Sequence, residues 1–162
     1  VLILGIDPGS NVTGWGLVRM ERGRYRYVDC GVVRTKASEP VADRLVVIHR
    51  GVAEVVAKYT PDEVAIEDIF HHKSSESAIR LGQARGVALL ALAQAGHAVE
   101  AYNPMVVKRS VGASGKADKE AIARMVRMLL GVELDVPPDA TDALAIAITH
   151  AAHRRGLGRV AS

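Results

Sequence analysis

The pattern of this chain predicts an α/β fold with a mixed five-stranded sheet, an antiparallel meander followed by parallel strands, flanked by helices. Three observations carry that prediction. Three apolar, partly alternating stretches at the start are joined by the short turns DPGS and ERGR. From residue 40 onward the apolar period lengthens to that of a helix, and short strand-like runs then alternate with helical ones. At 162 residues the chain can bury one core and is too short for two, so residues 1–162 read as a single domain.

Residues 1–7 (VLILGID) are apolar up to a terminal aspartate and read as a strand. They lack the basic flank and cleavage-like site of a signal peptide. DPGS places Pro and Gly at the centre of a turn, and 13–20 (TGWGLVRM) resumes the strand. ERGR turns again into 24–35 (RYRYVDCGVVRT), whose partial alternation is that of a half-buried strand. Leu45, Ile48, Val52, Val55 and Tyr59 then recur at helical spacing. TPD breaks that helix before 63–70 (EVAIEDIF), a short buried strand. A long helix follows, with Ser74 or Ser75 as its cap and Gly96 as its stop. HAVEAYNP reads as the fifth strand and MVVKRSVG as a short helix. ASGKADKEAIARMVRMLLG is a Gly-containing loop leading into a helix, and PPDATDALAIAITHAAHRR is an Ala-rich last helix entered through two prolines.

Hydrophobic residues make up 49% of the chain and charged residues 24%, which is the balance of a globular protein rather than a disordered one. Aromatics at 4% leave the core to Ala, Val, Leu and Ile. No stretch approaches the roughly 20 apolar residues that span a bilayer, so no membrane partner is expected. Cys30 stands alone, which rules out an intrachain disulfide and a multi-Cys metal site and fits a reducing cytoplasm. The net charge of +3 is compatible with a polyanionic partner without requiring one.

Acids occur where acids are otherwise hard to explain. Asp7 ends the first strand, Glu67 lies among core-like residues in VAIEDI, and Asp139 and Asp142 share one face at the start of the last helix. Each has a plain alternative. Asp7 can be an Asx-turn residue before Pro-Gly; Asp139 can be an N-cap and Asp142 a first-turn acid favoured by the helix dipole. Glu67 resists such an account, because a carboxylate in a buried strand is costly without a partner. If the first and fourth strands are neighbours under the last helix, the four acids converge. Clustered carboxylates repel, so a cation is needed to hold them. With oxygen donors only, that cation is Mg²⁺ or Mn²⁺. Two such ions roughly 4 Å apart are the standard device for in-line displacement at a phosphodiester.

GIDPGSNVTGWGLV, AIEDIF, LGQARGVA and DATDALAIAITH, in this order and spacing, resemble the RuvC family of Holliday junction resolvases from about residue 2 to residue 153. The resemblance implies a ribonuclease H-like fold and a homodimer. It also implies binding of a four-way DNA junction, paired nicks in two symmetry-related strands that leave ligatable ends, and docking onto a branch-migration motor. It assigns Asp7, Glu67, Asp139 and Asp142 as catalytic metal ligands, Phe70 as an aromatic that reaches the junction core, and Lys108 and Lys119 as DNA contacts near the scissile phosphate. One departure is visible: Ala113 stands where the family's loop often has its first glycine, which bears on the loop's flexibility.

Further basic groups surround these positions. His71, His72 and Lys73 follow the Glu67 strand at the mouth of the proposed cleft, either meeting phosphates or lying in a solvated loop. Arg109 and Lys116 join Lys108 and Lys119 around a Gly-containing loop, whose backbone N–H groups can approach phosphate oxygens. Arg80 and Arg85 suit a dimer or DNA contact as well as a plain surface role. His150 and His153, near Arg154 and Arg155, suit the negative end of the last helix better than a metal. The helix over 76–95 is either the dimer interface or simply buried. With four acids neutralised by metal, +3 becomes +7 (18 acids reduced to 14 against 21 bases), a stronger footprint for DNA.

Three other functions compete. An actin-like ATPase or sugar kinase shares the strand-Asp-x-Gly-turn start but needs a second lobe and a second phosphate loop. A ribonuclease H-like enzyme on RNA–DNA hybrids shares the acids and differs in the LGQARG and DALAIA runs. A catalytically silent junction binder would not need the full acid set.

Overall fold

In the computed structural model, residues 1–69 and 74–158 are described. The strands are β1 (Leu2–Asp7), β2 (Val12–Glu21), β3 (Arg24–Arg34), β4 (Glu63–Glu67) and β5 (Val99–Tyr102). The helices are α1 (Val41–Tyr59), α2 (Ser75–Gln94), α3 (Pro104–Ser110), α4 (Lys119–Leu130) and α5 (Pro138–Gly158). The sheet order is β3-β2-β1-β4-β5. β1–β2 and β2–β3 are antiparallel, whereas β1–β4 and β4–β5 are parallel. This is the meander-then-parallel sheet that the turns and the change of period predict.

Alternation along the strands divides the core in two. Leu2, Leu4 and Ile6 of β1 pack with Val52, Val55, Ala88 and Leu92 of α1 and α2. Ile3 and Ala65 face the opposite layer, formed by Leu144, Ile146 and Ile148 of α5 with Ile122 and Val126 of α4. α5 is buried almost all round, with Ala143, Leu144, Ala145, Ala147 and Ile148 fully enclosed. Its alanines and the strand glycines let backbone lie on backbone. A Cβ on Gly5 would collide with the Ala143 carbonyl, and one on Gly14 with the Asp139 carbonyl.

Several boundaries differ from the expectation. β4 ends at Glu67 rather than residue 70: Glu67 opposite Tyr102 is its last pair with β5, and beyond it the Asp68 N–H still bonds the Tyr102 carbonyl. Ser74, not Ser75, caps α2, its hydroxyl accepting from the Ser77 N–H. Asp139 is not an N-cap, since α5 already begins at Pro138. His150 does not serve the negative end of α5. It lies two turns inside, buried, with Nε2 2.8 Å from Glu63 Oε2 and Nδ1 2.9 Å from the Tyr102 hydroxyl. Among the described residues, no helix is long and apolar enough to cross a membrane.

Candidate active site

Parallel pairing of β1 with β4 brings Ile6 opposite Ile66, so the next residues, Asp7 and Glu67, sit side by side where the two strands end. Both follow the alternation of Ile3 and Ala65 and therefore project on the α5 side of the sheet. Gly14, paired with Asp7 on β2, leaves room for the start of α5 to descend onto the same spot. Asp139 and Asp142, one helical turn apart, then meet Asp7. One oxygen from each of the three aspartates lies within 4.8 Å of the others. Glu67 stands outside that trio, beside Asp7 on the β4 side.

The electrostatics are those of a site short of positive charge. Burial, then Glu67, Asp142 and Asp139, hold the Asp7 carboxyl well above the usual carboxylate range. Burial also raises Glu67 and Asp142, against the opposing pull of Lys119. Lys119 Nζ lies 3.5 Å from Asp142 Oδ2, and that carboxylate is the main reason its ammonium titrates above its ordinary value. Two lysines, Lys119 and Lys108, do not balance four acids. An all-oxygen donor set with excess negative charge fits a hard divalent cation.

These side chains line an open cleft of about 540 Å³, together with Lys108, Arg80 and the Pro8–Val12 turn. Lys108 also reaches the Gly115 carbonyl at 3.4 Å, which ties α3 to the loop that precedes Lys119. The structure therefore brings together Asp7, Glu67, Asp139, Asp142, Lys108 and Lys119. Lys116 lines a separate shallow hollow with Gly112 and Asp118, and Arg109, in the last turn of α3, lines neither. Phe70, His71, His72 and Lys73 lie outside the described residues.

Arg85 has a role that the sequence reading left open. Its Nε donates to the Glu67 carbonyl at 3.1 Å and its Nη2 lies 3.2 Å from Asp68 Oδ1, so it anchors the end of β4 from α2. Its place in LGQARG, on the helix that follows the Glu67 strand, was the available signal. Arg80 pairs with Glu76 at 2.7 Å on the cleft rim.

A sheet of this order, with half-buried carboxylates gathered where β1 and β4 end and a helix laid across them, defines a ribonuclease H-like nuclease. Residues 3–150 match the family model described as crossover junction endodeoxyribonuclease RuvC, and the chain belongs to that family. It is 46% identical over 154 residues to the Azorhizobium caulinodans crossover junction endodeoxyribonuclease RuvC, covering 95% of this chain and 91% of that one. It is likewise 46% identical to the Chloroflexus aurantiacus protein of the same name, over 91% of both. Thermus thermophilus RuvC in complex with a Holliday junction substrate superposes with a TM-score of 0.87 at 39% identity, covering 96% of each chain. The yeast mitochondrial Holliday junction resolvase Ydc2 shares the fold at 13% identity, with a TM-score of 0.70 over 97% of this chain and 80% of that one.

Proposed function

We propose that this chain is a structure-selective endodeoxyribonuclease that resolves four-way (Holliday) DNA junctions by paired symmetric nicks, in homologous recombination and DNA repair. The observation that carries this reading is the meeting of Asp7, Asp139 and Asp142 oxygens within 4.8 Å, beside Lys108 and Lys119, in a chain of the RuvC family. Full-length likeness to a protein solved on a Holliday junction substrate favours a DNA junction over an RNA–DNA hybrid.

Asp7, Glu67, Asp139 and Asp142 are the residues that would hold Mg²⁺, two ions to each active site, with Mn²⁺ as a substitute. Divalent ions bound among such carboxylates supply an acidified water and charge neutralisation at the phosphodiester. The chain's own share is positional. Asp7, central to the cluster, fixes the acids against the end of the sheet. Lys119 and Lys108 bring positive charge to the strand that enters the cleft, and Arg85 keeps the end of β4 in place. Phe70 stacks at the junction core in this reading, and His71, His72, Lys73, Arg109 and Lys116 meet phosphates around it.

A four-way junction can adopt two-fold symmetry, which an isologous homodimer matches. The outward face of α2 suits such an interface. Ile79, Gly82, Gly86 and Leu90 form one stripe there, with Ile79 61% and Leu90 50% exposed and nothing within 4 Å of a Cβ built on Gly86. Residues 1–162 act as one nuclease domain in the cytoplasm and dock onto a branch-migration motor. The deciding experiment compares a mobile four-way junction, a linear duplex and an RNA–DNA hybrid, with and without Mg²⁺. Mg²⁺-dependent nicking confined to the junction is expected; equal cutting of the hybrid overturns the assignment.

A further inference from the structure

Arg44, in the first turn of α1, is only 5% exposed. Among the described residues, no carboxylate stands within ion-pairing distance of it. A buried guanidinium without a counter-ion is costly, so its bonds have to be worth keeping. All of them go to neutral oxygens. Nη2 donates to the Ser10 carbonyl at 2.9 Å, the Ser10 hydroxyl at 2.7 Å and Asn11 Oδ1 at 2.7 Å, and Nε donates to Thr35 Oγ1 at 3.3 Å. Thr35 completes the clasp: its hydroxyl donates to the Ser10 carbonyl at 2.5 Å and its N–H to the Asn11 carbonyl at 3.0 Å. The start of α1 and the end of β3 thus hold one short segment, Ser10–Asn11, and that segment forms part of the wall of the acid cleft.

The chemistry of the clasp fixes which way the Asn11 amide faces. Guanidinium is donor-only, so the atom turned toward Arg44 has to be the carbonyl oxygen Oδ1. The Nδ2 amide, with two N–H donors, is the end left over. Asn11 is an exposed residue lining the cleft, and none of the hydrogen bonds among the described residues uses that nitrogen. Without the cation behind it, a surface Asn amide can flip and offer an acceptor instead, which an anionic strand would reject.

We propose that Asn11 donates from Nδ2 to a phosphodiester oxygen of the strand lying in the cleft, and that Arg44 is the positioning residue that locks the amide in its donating orientation. The inference rests on the nuclease reading, in that it needs DNA in that cleft. It adds a neutral contact on the wall formed by the β1–β2 turn, apart from Lys108 and Lys119, which stand on α3 and α4. A neutral donor there adds no further positive charge beside the already buried guanidinium.

Asn11→Asp separates this role from a merely structural one, because its two readouts move in opposite directions. The new carboxylate faces Arg44 and ion-pairs with it, so the melting temperature holds or rises. The same change replaces a donor by a negative charge facing phosphate, so the dissociation constant for a four-way junction rises about 10-fold or more, the weight of a charge-assisted hydrogen bond. Arg44→Lys keeps the charge but loses the fork. Its KM for junction rises more than its kcat falls, and Asn11→Ala, which removes the donor without adding charge, adds little further loss of affinity in that background. Wild-type binding to the junction, run in parallel, tests the nuclease reading separately. If wild type binds and nicks the junction while Asn11→Asp binds it equally well, this inference is overturned and the nuclease reading stands.

Discussion

Asp7 and Glu67 stand side by side at the ends of parallel strands, and the Glu67 charge helps hold the Asp7 carboxyl above its usual range. Like charges brought this close disfavour full ionisation of both.

Consequences for stability follow in sign. Asp7, Glu67 and Asp142 all titrate above their ordinary range, so the fold favours their neutral forms. That contribution is fully present below the ordinary carboxylate pKa, near 4, and is lost as pH rises through the higher folded values. Metal-free protein is therefore expected to lose melting temperature between acid and neutral pH on account of this cluster, and added Mg²⁺ to restore it. Asn at position 7 is permanently neutral. Asp7→Asn should melt higher than wild type without metal at neutral pH, by about 2–4 °C for each kcal/mol relieved, and respond little to Mg²⁺. It should bind junction DNA and not nick it. Calorimetry with and without Mg²⁺ checks the first part and a nicking assay the second; wild-type cutting by this variant would remove Asp7 from the chemistry.

Gly14→Ala tests how α5 is seated. The added methyl meets the Asp139 carbonyl, and backbone cannot yield as a flexible side chain can. Overpacking of this kind costs roughly 1–3 kcal/mol. The helix start is expected to lift from β2, carrying Asp139 and Asp142 away from Asp7. Mg²⁺ affinity, read by titration calorimetry, should fall along with stability. A variant that loses stability but binds metal as wild type does would show that the acids tolerate a displaced helix.

Lys119→Met removes the cation 3.5 Å from Asp142 while keeping the aliphatic stem. Without it the acids are left with still less compensation, and the entering strand loses one charged contact. Nicking is expected to fall on the order of 100-fold, as when one preorganised donor is lost. The slope of log affinity against log salt should decrease by about 1. An unchanged slope would place Lys119 away from the phosphates.

Much of this was legible in the chain. The antiparallel meander and the mixed sheet follow from two short turns and a change of period, and the four acids stood out because three sat at element ends and Glu67 sat inside an apolar strand. What was not legible depends on long-range register. Nothing local marks His150 as the partner of Glu63, 87 residues away, or places Arg85 behind the Glu67 carbonyl. Arg44 reads as one more charge on an amphipathic helix; only the folded turn shows that its charge is buried. Cap and strand ends shifted by one to three residues because side-chain caps and the end of pairing at Glu67 decide them, not hydrophobicity.

Glu63 sits at the other end of β4 from Glu67, on the same face, held by Arg154 at 2.6 Å and His150 at 2.8 Å. Burial alone would raise its carboxyl, but the hydrogen bonds from Arg154 and His150 outweigh it and hold the pKa below the ordinary value. A depressed acid stabilises the fold above the ordinary glutamate range and loses that contribution as pH falls through its folded value. Glu63→Gln should therefore lower the melting temperature at neutral pH and show a smaller difference from wild type near pH 4. Parallel melting curves across that range would refute the linkage by showing a constant gap.

Leu90→Glu addresses the outward face of α2. Ala84, Ala88, Ala91 and Leu92 face inward and hold the helix to its own chain, whereas Leu90 is half exposed on the stripe with Ile79. A carboxylate there costs the isolated chain little, since surface substitutions usually fall within about 0.5 kcal/mol. Across the two-fold axis of the proposed dimer, however, the same stripe would meet its own copy, so each interface would receive two like charges. If the proposed dimer forms through this face, the variant is expected to sediment as a monomer where wild type sediments as a dimer, and to keep its melting temperature at low concentration. On a four-way junction it should give unpaired single nicks, because nothing couples the two sites. A variant that remains dimeric with paired nicking would move the interface off α2.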